Sequence, residues 1–185
     1  MSEQAGRSTS AAQATILPVV VLVVICVVAG ALLGAVHSVT SPIAEANAQR
    51  KAEETYASLV PEAASFEPVS CDVAGCTAAL EARDAAGAVI AHVIVAQSKG
   101  YGGQVPIAVA FGPDGTVRSI TAMSNEETPG LGTKVANDSY IGQYVGLVAT
   151  PASPGDIDLI SGATISSKAV LAAYNIAVEA YEEVR

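Results

Sequence analysis

No run of lysines and arginines occurs anywhere in this chain. Nine basic residues stand against eighteen acidic ones, a formal net charge of −9. A phosphate backbone is held by basic surface, so this balance excludes nucleic acid as a partner. Cysteine and histidine are also scarce, at three and two. Cys71 and Cys76 bracket CDVAGC, yet no second pair exists to complete a zinc site and His92 is the only imidazole near them. The pair reads either as a disulfide of an oxidising compartment or as two buried thiols. Two nucleophile motifs are missing as well. Ile165 stands where a Ser-x-x-Lys motif ending at Lys168 needs serine, and no Gly-x-Ser-x-Gly elbow occurs. There is no internal repeat and no low-complexity tract.

What the chain does have is one long apolar run, ILPVVVLVVICVVAGALLGAV from Ile16 to Val36, which inflates the 51% hydrophobic share. A helix of this length spans roughly the 30 Å of a bilayer core. Pro18 is expected in its first turn, where a missing N–H removes no bond. A cleaved signal peptide is the alternative. Its apolar region is usually only about 7–15 residues long, and the Ala46–Ala48 pattern lies too far downstream. The expectation is a retained single crossing at 16–38 after a cytoplasmic tail, 1–15. Arg7 on one side and Arg50 with Lys51 on the other barely decide orientation. A short tail before a long globular portion places that portion outside the cytoplasm.

Ser41 and Pro42 form a plausible N-cap and first position for a stalk helix over 39–60, rich in Ala, Glu, Gln and Lys and ended by Pro61. The remainder, 61–185, reads as one domain. TAALEAR and AVIAHVIVAQ flank Asp84–Gly87, and VPIAVAF and TVRSITAMS flank Gly112–Gly115, so turn chemistry separates strand-like segments into two hairpins. The run Val93–Ala96 suggests a strand covered on both faces. A short helix is expected around Asp138–Tyr144, then a brief extended piece ending at Ile160. From about Ser166, Val170, Tyr174, Ala177, Tyr181 and Val184 recur at steps of three and four, an amphipathic helix. The fold class is therefore α+β, an antiparallel sheet packed with helices behind a single N-terminal transmembrane helix.

Three glycine-bearing stretches stand out. In DLISGATISSK, Asp158–Lys168, Ser161, Gly162, Ala163 and Thr164 are too small for a core. At a helix N-terminus their N–H groups would cradle a phosphate, with Gly162 suited to a positive φ. The alternative is that Ser161 or Ser166 merely caps the helix. In SNEETPGLGTK, Ser124–Lys134, Pro129-Gly130 favours a type II turn. Gly130-Leu131-Gly132 offers a bare backbone around one apolar side chain, fit to support a flat ring. As a dinucleotide motif it fails, because no βαβ unit surrounds it. SKGYGGQ, Ser98–Gln104, is largely explained as a hairpin connection.

Together these residues resemble a known family. D-x-x-S-G-A-T at Asp158–Thr164 resembles the motif by which FMN is joined covalently, through a phosphoester, to the final threonine. GYGG at Gly100–Gly103 and ETPGLG at Glu127–Gly132 are similar to the FMN-binding domain found in the G subunit of the Rnf electron-transport complex. The C subunit of the sodium-pumping NADH:quinone reductase carries a related domain. With the N-terminal anchor, the resemblance covers nearly the whole chain.

The resemblance implies FMN on Thr164, with Ser161, Gly162, Ala163, Glu127, Thr128, Gly130, Leu131, Gly132 and Lys134 around it and no metal. Leu131 is expected against the ring, Thr128 near its polar edge, and Lys134 as a cation favouring the reduced, anionic form. A flavin transferase, drawing FMN from FAD with magnesium, would read Asp158. The implied function is a one-electron relay in an Rnf-type ferredoxin:NAD oxidoreductase that moves ions across the cell membrane, not catalytic alone. Its partners would be the other subunits and membrane lipid. The alternatives are an FMN carrier of another extracytoplasmic pathway, or a flavin-free anchored scaffold.

Overall fold

The computed structural model describes residues 5–185, with side chains from Pro18 onward apart from Val39, Pro42, Ile43 and Glu45. The expected tail thus lies partly outside the described residues. The chain forms two units, residues 1–51 and 52–185.

The first unit is helix α1, Ala5–Leu59, whose last turns belong to the second. Within α1, Pro18–Ser38 has a mean hydropathy of 3.1 and no protein covering, long and apolar enough to cross a membrane. The expected break at Ser41-Pro42 is absent, and Pro18 lies inside the helix instead of in its first turn. Each proline removes one backbone bond but keeps a helical φ. Good helix formers follow Pro42, and the Ser38 and Thr40 hydroxyls bond back to the Ala35 and Val36 carbonyls at 2.9 Å.

The second unit is built on a five-stranded antiparallel meander in simple order. Its strands are β1 Ser65–Val69, β2 Cys76–Arg83, β3 Val89–Lys99, β4 Gln104–Phe111 and β5 Val117–Ala122. Both expected hairpins are present, in the register Ile94↔Ala79 and Ile94↔Val109. Pro68 sits on β1, an edge strand, where a missing N–H costs no ladder bond.

Alternation along β3 divides the core. Ile94 and Ala96 face helix α3, Thr164–Val184, beside Ile107, Val109 and Phe111. Val93 and Val95 face the other way, where Leu59 and Val60 at the end of α1 join Ala108 and Ala110. Val93–Ala96 is buried throughout, as a strand covered on both sides must be. The end of α1 is tied down where the Ser119 hydroxyl donates to the Leu59 carbonyl at 2.7 Å. On α3, Val170, Tyr174, Ala177, Val178 and Tyr181 are buried, each large apolar side chain contributing about 1.5–3 kcal/mol.

Between β5 and α3 run a 3-10 turn, Gly132–Ala136, the short helix α2, Asp138–Ile141, and a second 3-10 turn, Gly142–Tyr144. The segment before Ile160 is irregular instead of extended. Side chains satisfy its backbone: Asn175 pairs with both polar groups of Ala152 at 2.8 and 3.0 Å. Cys71 and Cys76 are free, half-buried thiols. Burial, with Cys71 beside it, pushes the Cys76 thiol up to about 12.

Candidate functional site

The SGAT segment makes its turn through Gly162, at φ +81°, and the Ala163 N–H closes it on the Ile160 carbonyl at 3.0 Å. α3 then begins at Thr164, two residues earlier than the periodicity suggested. Neither Ser161 nor Ser166 caps it. The N-cap position is Ala163, which has no side chain to accept a bond. Ser166 instead donates to Glu127, and Ser167 donates to the Ala163 carbonyl at 3.0 Å. The first helical bond runs from the Ser167 N–H to Ala163. The N–H groups of Thr164, Ile165 and Ser166 therefore point out of the helix end with no acceptor among the described residues. The Thr164 side chain is exposed at this end.

The ETPGLG stretch forms the expected turn, with Gly130 at φ +74° and the Leu131 N–H bonded to the Thr128 carbonyl at 3.1 Å. GYGG is the tip of the β3–β4 hairpin, closed by the Gly100 N–H on the Gly103 carbonyl at 2.8 Å.

Glu127 joins all three stretches. It is 4% exposed, and its carboxylate accepts the Ser166 hydroxyl and, at 3.0 Å, the Gly102 N–H. Burial alone would raise its pKa. The Ser166 hydroxyl and the N–H groups of Gly102, Tyr101 and Gly103 outweigh that and hold it below the usual carboxylate range. Gly132 and Gly100 are bare because of this carboxylate. A Cβ on either would strike Glu127, and one on Gly132 would also come within 2.9 Å of the Ser166 hydroxyl. The bareness of Gly132 thus makes room for a clasp, where the sequence suggested a platform for a ring.

The clasp draws the stretches around a cleft of about 490 Å³, lined by Thr128, Leu131, Gly132, Gly162 to Ser166, Glu127 and Tyr101. Five large hydrophobic residues of the second unit are exposed, and three of them, Tyr101, Leu131 and Ile165, line it. An exposed apolar cluster of this kind marks a binding surface. Neither Tyr101 nor Ile165 was expected among the residues around the flavin, although Tyr101 belongs to the GYGG stretch that carries the resemblance.

Ser161 and Gly130 lie outside the lining. So does Lys134, which borders a second cleft of about 440 Å³ with Asn137, Gln143 and Asp158. There the Asp158 N–H donates to the Gln143 side chain at 2.8 Å, and the Gln143 amide returns a bond to the Asp158 carbonyl at 3.4 Å. Both of its backbone groups are fixed by one side chain.

Comparison with known proteins identifies the family. A model of the FMN-binding domain matches residues 100–179, which takes in all three stretches. The G subunit of the proton-translocating ferredoxin:NAD(+) oxidoreductase complex of Clostridium ljungdahlii is 34% identical, covering 85% of this chain and 86% of that protein. The G subunit of the ion-translocating oxidoreductase complex of Methanosarcina acetivorans is 33% identical over 87% of this chain and 91% of its own. Among solved structures, Shewanella oneidensis NqrC aligns at a TM-score of 0.47 and 20% identity, covering 67% of this chain and 70% of that one. The chain belongs to the family of G subunits of the ion-translocating oxidoreductase complexes, and residues 100–179 are its FMN-binding domain.

Proposed function

We propose that this protein is the membrane-anchored flavin subunit of an Rnf-type ferredoxin:NAD oxidoreductase complex, with FMN joined by a phosphoester to Thr164. The observation that carries the reading is the uncapped start of α3 at the rim of an apolar-walled cleft. Had a serine capped the helix, a flavin-free scaffold would explain the SGAT turn equally well; with Ala163 at the cap, the N–H groups of the first turn are left to favour an anion.

The residues fit the group. The end of a 21-residue helix carries partial positive charge, which offsets the single negative charge of a phosphodiester by about 0.3–1 kcal/mol or more where water is excluded. The Thr164 side chain is exposed and open to esterification. Leu131 and Ile165 offer an apolar wall for a flat ring, and Thr128 a polar group beside it. When attached, FMN supplies one-electron transfer, and the covalent tether keeps it on the domain in every oxidation state. Glu127 and Ser166 set the spacing of the cleft walls. Lys134, which lines the second cleft with Asp158, favours the reduced, anionic flavin through its charge and not from the cleft wall.

In this reading residues 16–38 span the cell membrane, residues 39–60 form the stalk, and residues 61–185 lie outside the cytoplasm. The remaining subunits of the complex exchange electrons with the domain, and a flavin transferase that recognises Asp158 loads it. The test is intact mass spectrometry of the chain produced beside a flavin transferase. The expected result is one added FMN moiety, absent in Thr164→Val. An unmodified SGAT peptide in the native chain, or an adduct retained by the variant, overturns the assignment.

A further inference from the structure

We propose that Tyr101 is the movable third wall of the cleft, closing its aromatic ring over the flavin and setting how far the flavin is open to solvent and to electron partners. The inference rests on the functional reading above.

Tyr101 is 73% exposed, more than any other large hydrophobic residue described, and it lines the same cleft as Leu131 and Ile165. Among the described residues its side chain makes no hydrogen bond and takes part in none of the aromatic pairs that organise the core. Its backbone, in contrast, is firmly placed. The Gly102 N–H is held by Glu127 at 3.0 Å, the Gly100 N–H by the Gly103 carbonyl at 2.8 Å, and the hairpin strands pair from Lys99↔Gln104 onward. A fixed Cα with a free side chain confines movement to χ1 and χ2, a rotation that reaches between cleft and solvent on the nanosecond scale.

Tyrosine suits the place physically. Its ring stacks on a planar partner, while its hydroxyl stays wet at the rim. An aromatic side chain kept in water at the mouth of an apolar cleft gains its burial only when a flat ligand arrives. Leu131 and Ile165 line the cleft from the ETPGLG turn and the start of α3, so Tyr101, from the hairpin tip, is the wall that can open and close.

The experiment uses the full-length, flavin-loaded chain, with Tyr101→Phe and Tyr101→Leu, loading being verified by mass. The readouts are flavin fluorescence lifetime and iodide quenching. A phenol in contact with an excited flavin quenches it by transient electron donation, whereas phenyl and isobutyl groups do not. The expected results are a severalfold brighter, longer-lived flavin in both variants. Tyr101→Leu should also raise the iodide quenching constant, while Tyr101→Phe, which still covers the ring, should keep the parent's value. Lifetimes and quenching constants equal to the parent's in both variants overturn the proposal. So does a parent flavin as open to iodide as free FMN. A chain that carries no flavin at all overturns the functional reading itself, a result distinct from either.

Discussion

The Ser166 hydroxyl donates to one oxygen of the buried Glu127 carboxylate while the other accepts the Gly102 N–H at 3.0 Å. One side chain thereby fastens the first turn of α3 to the tip of the β3–β4 hairpin, across separations of 39 and 25 residues in sequence. A buried charge is tolerated only when donors surround it, and here a hydroxyl and backbone N–H groups do so without any neighbouring cation. The clasp is electrostatic in strength but leaves no positive side chain in the cleft.

Glu127→Ala is expected to lower stability by about 2–3 kcal/mol, because it strands the buried N–H groups of the hairpin tip. Ser166→Ala should cost roughly 1–2 kcal/mol, and the double variant should cost less than the sum, since both remove one bond. Because the folded carboxyl lies below its usual 4.5, its contribution is present above that pH and fades as pH falls through the folded value. Denaturant titrations of the four chains at two pH values check this. Strict additivity would show that the pair is not coupled.

Much of this architecture was legible because local chemistry sufficed. Asp84–Gly87 and Gly112–Gly115 announced their hairpins, Val93–Ala96 its two covered faces, and Gly130 and Gly162 the positive φ that their turns use. The clasp was not legible, because nothing in the ETPGLG stretch says that Glu127 turns inward to meet residues far along the chain. Ser166 looked like a cap for the same reason: helix-terminal serines usually are, and only the tertiary contact diverts its hydroxyl. Pro42 misled in the opposite direction, since strong helix formers on its far side carry α1 through it.

Two glycines should respond differently to alanine. Gly130 has open space around it and a φ of +74°, so Gly130→Ala should cost only backbone strain, on the order of 1 kcal/mol. At Gly102 a Cβ would collide with the Glu126 carbonyl, which is backbone and cannot swing aside. Gly102→Ala should therefore cost clearly more and disturb the clasp. Melting midpoints rank the two, and an equal loss would contradict the packing described here.

His92 gives the domain a second acid-sensitive point. It lies opposite Glu81 in the sheet, edge-on to Tyr181 with ring centroids 5.5 Å apart, and its Nδ1 is buried without a partner. Burial lowers its pKa from 6.5, and Glu81, itself paired with Arg83, offsets this only in part. Between the folded value and 6.5 the unfolded chain binds more protons, so stability must fall as pH drops through that window. His92→Phe should reduce the loss measured between about pH 7.5 and about pH 5.5. The same loss in both chains would place the acid sensitivity elsewhere.

Leu131 tests the cleft from its apolar side. It is 44% exposed, and its Cδ1 would lie 3.6 Å from a Cβ built on Gly162, so it reaches across to the SGAT turn. An apolar wall disfavours the added negative charge of a reduced flavin, and replacing it with water relieves that penalty. Leu131→Ala should therefore raise the midpoint potential, by on the order of 40 mV if about 1 kcal/mol is relieved in a one-electron couple. Because Leu131 is half outside the core, the fold should tolerate the change, and flavin loading measured by mass should persist. Spectroelectrochemical titration of the loaded chain decides the matter. A potential that stays fixed or falls would mean that the ring does not rest on this turn.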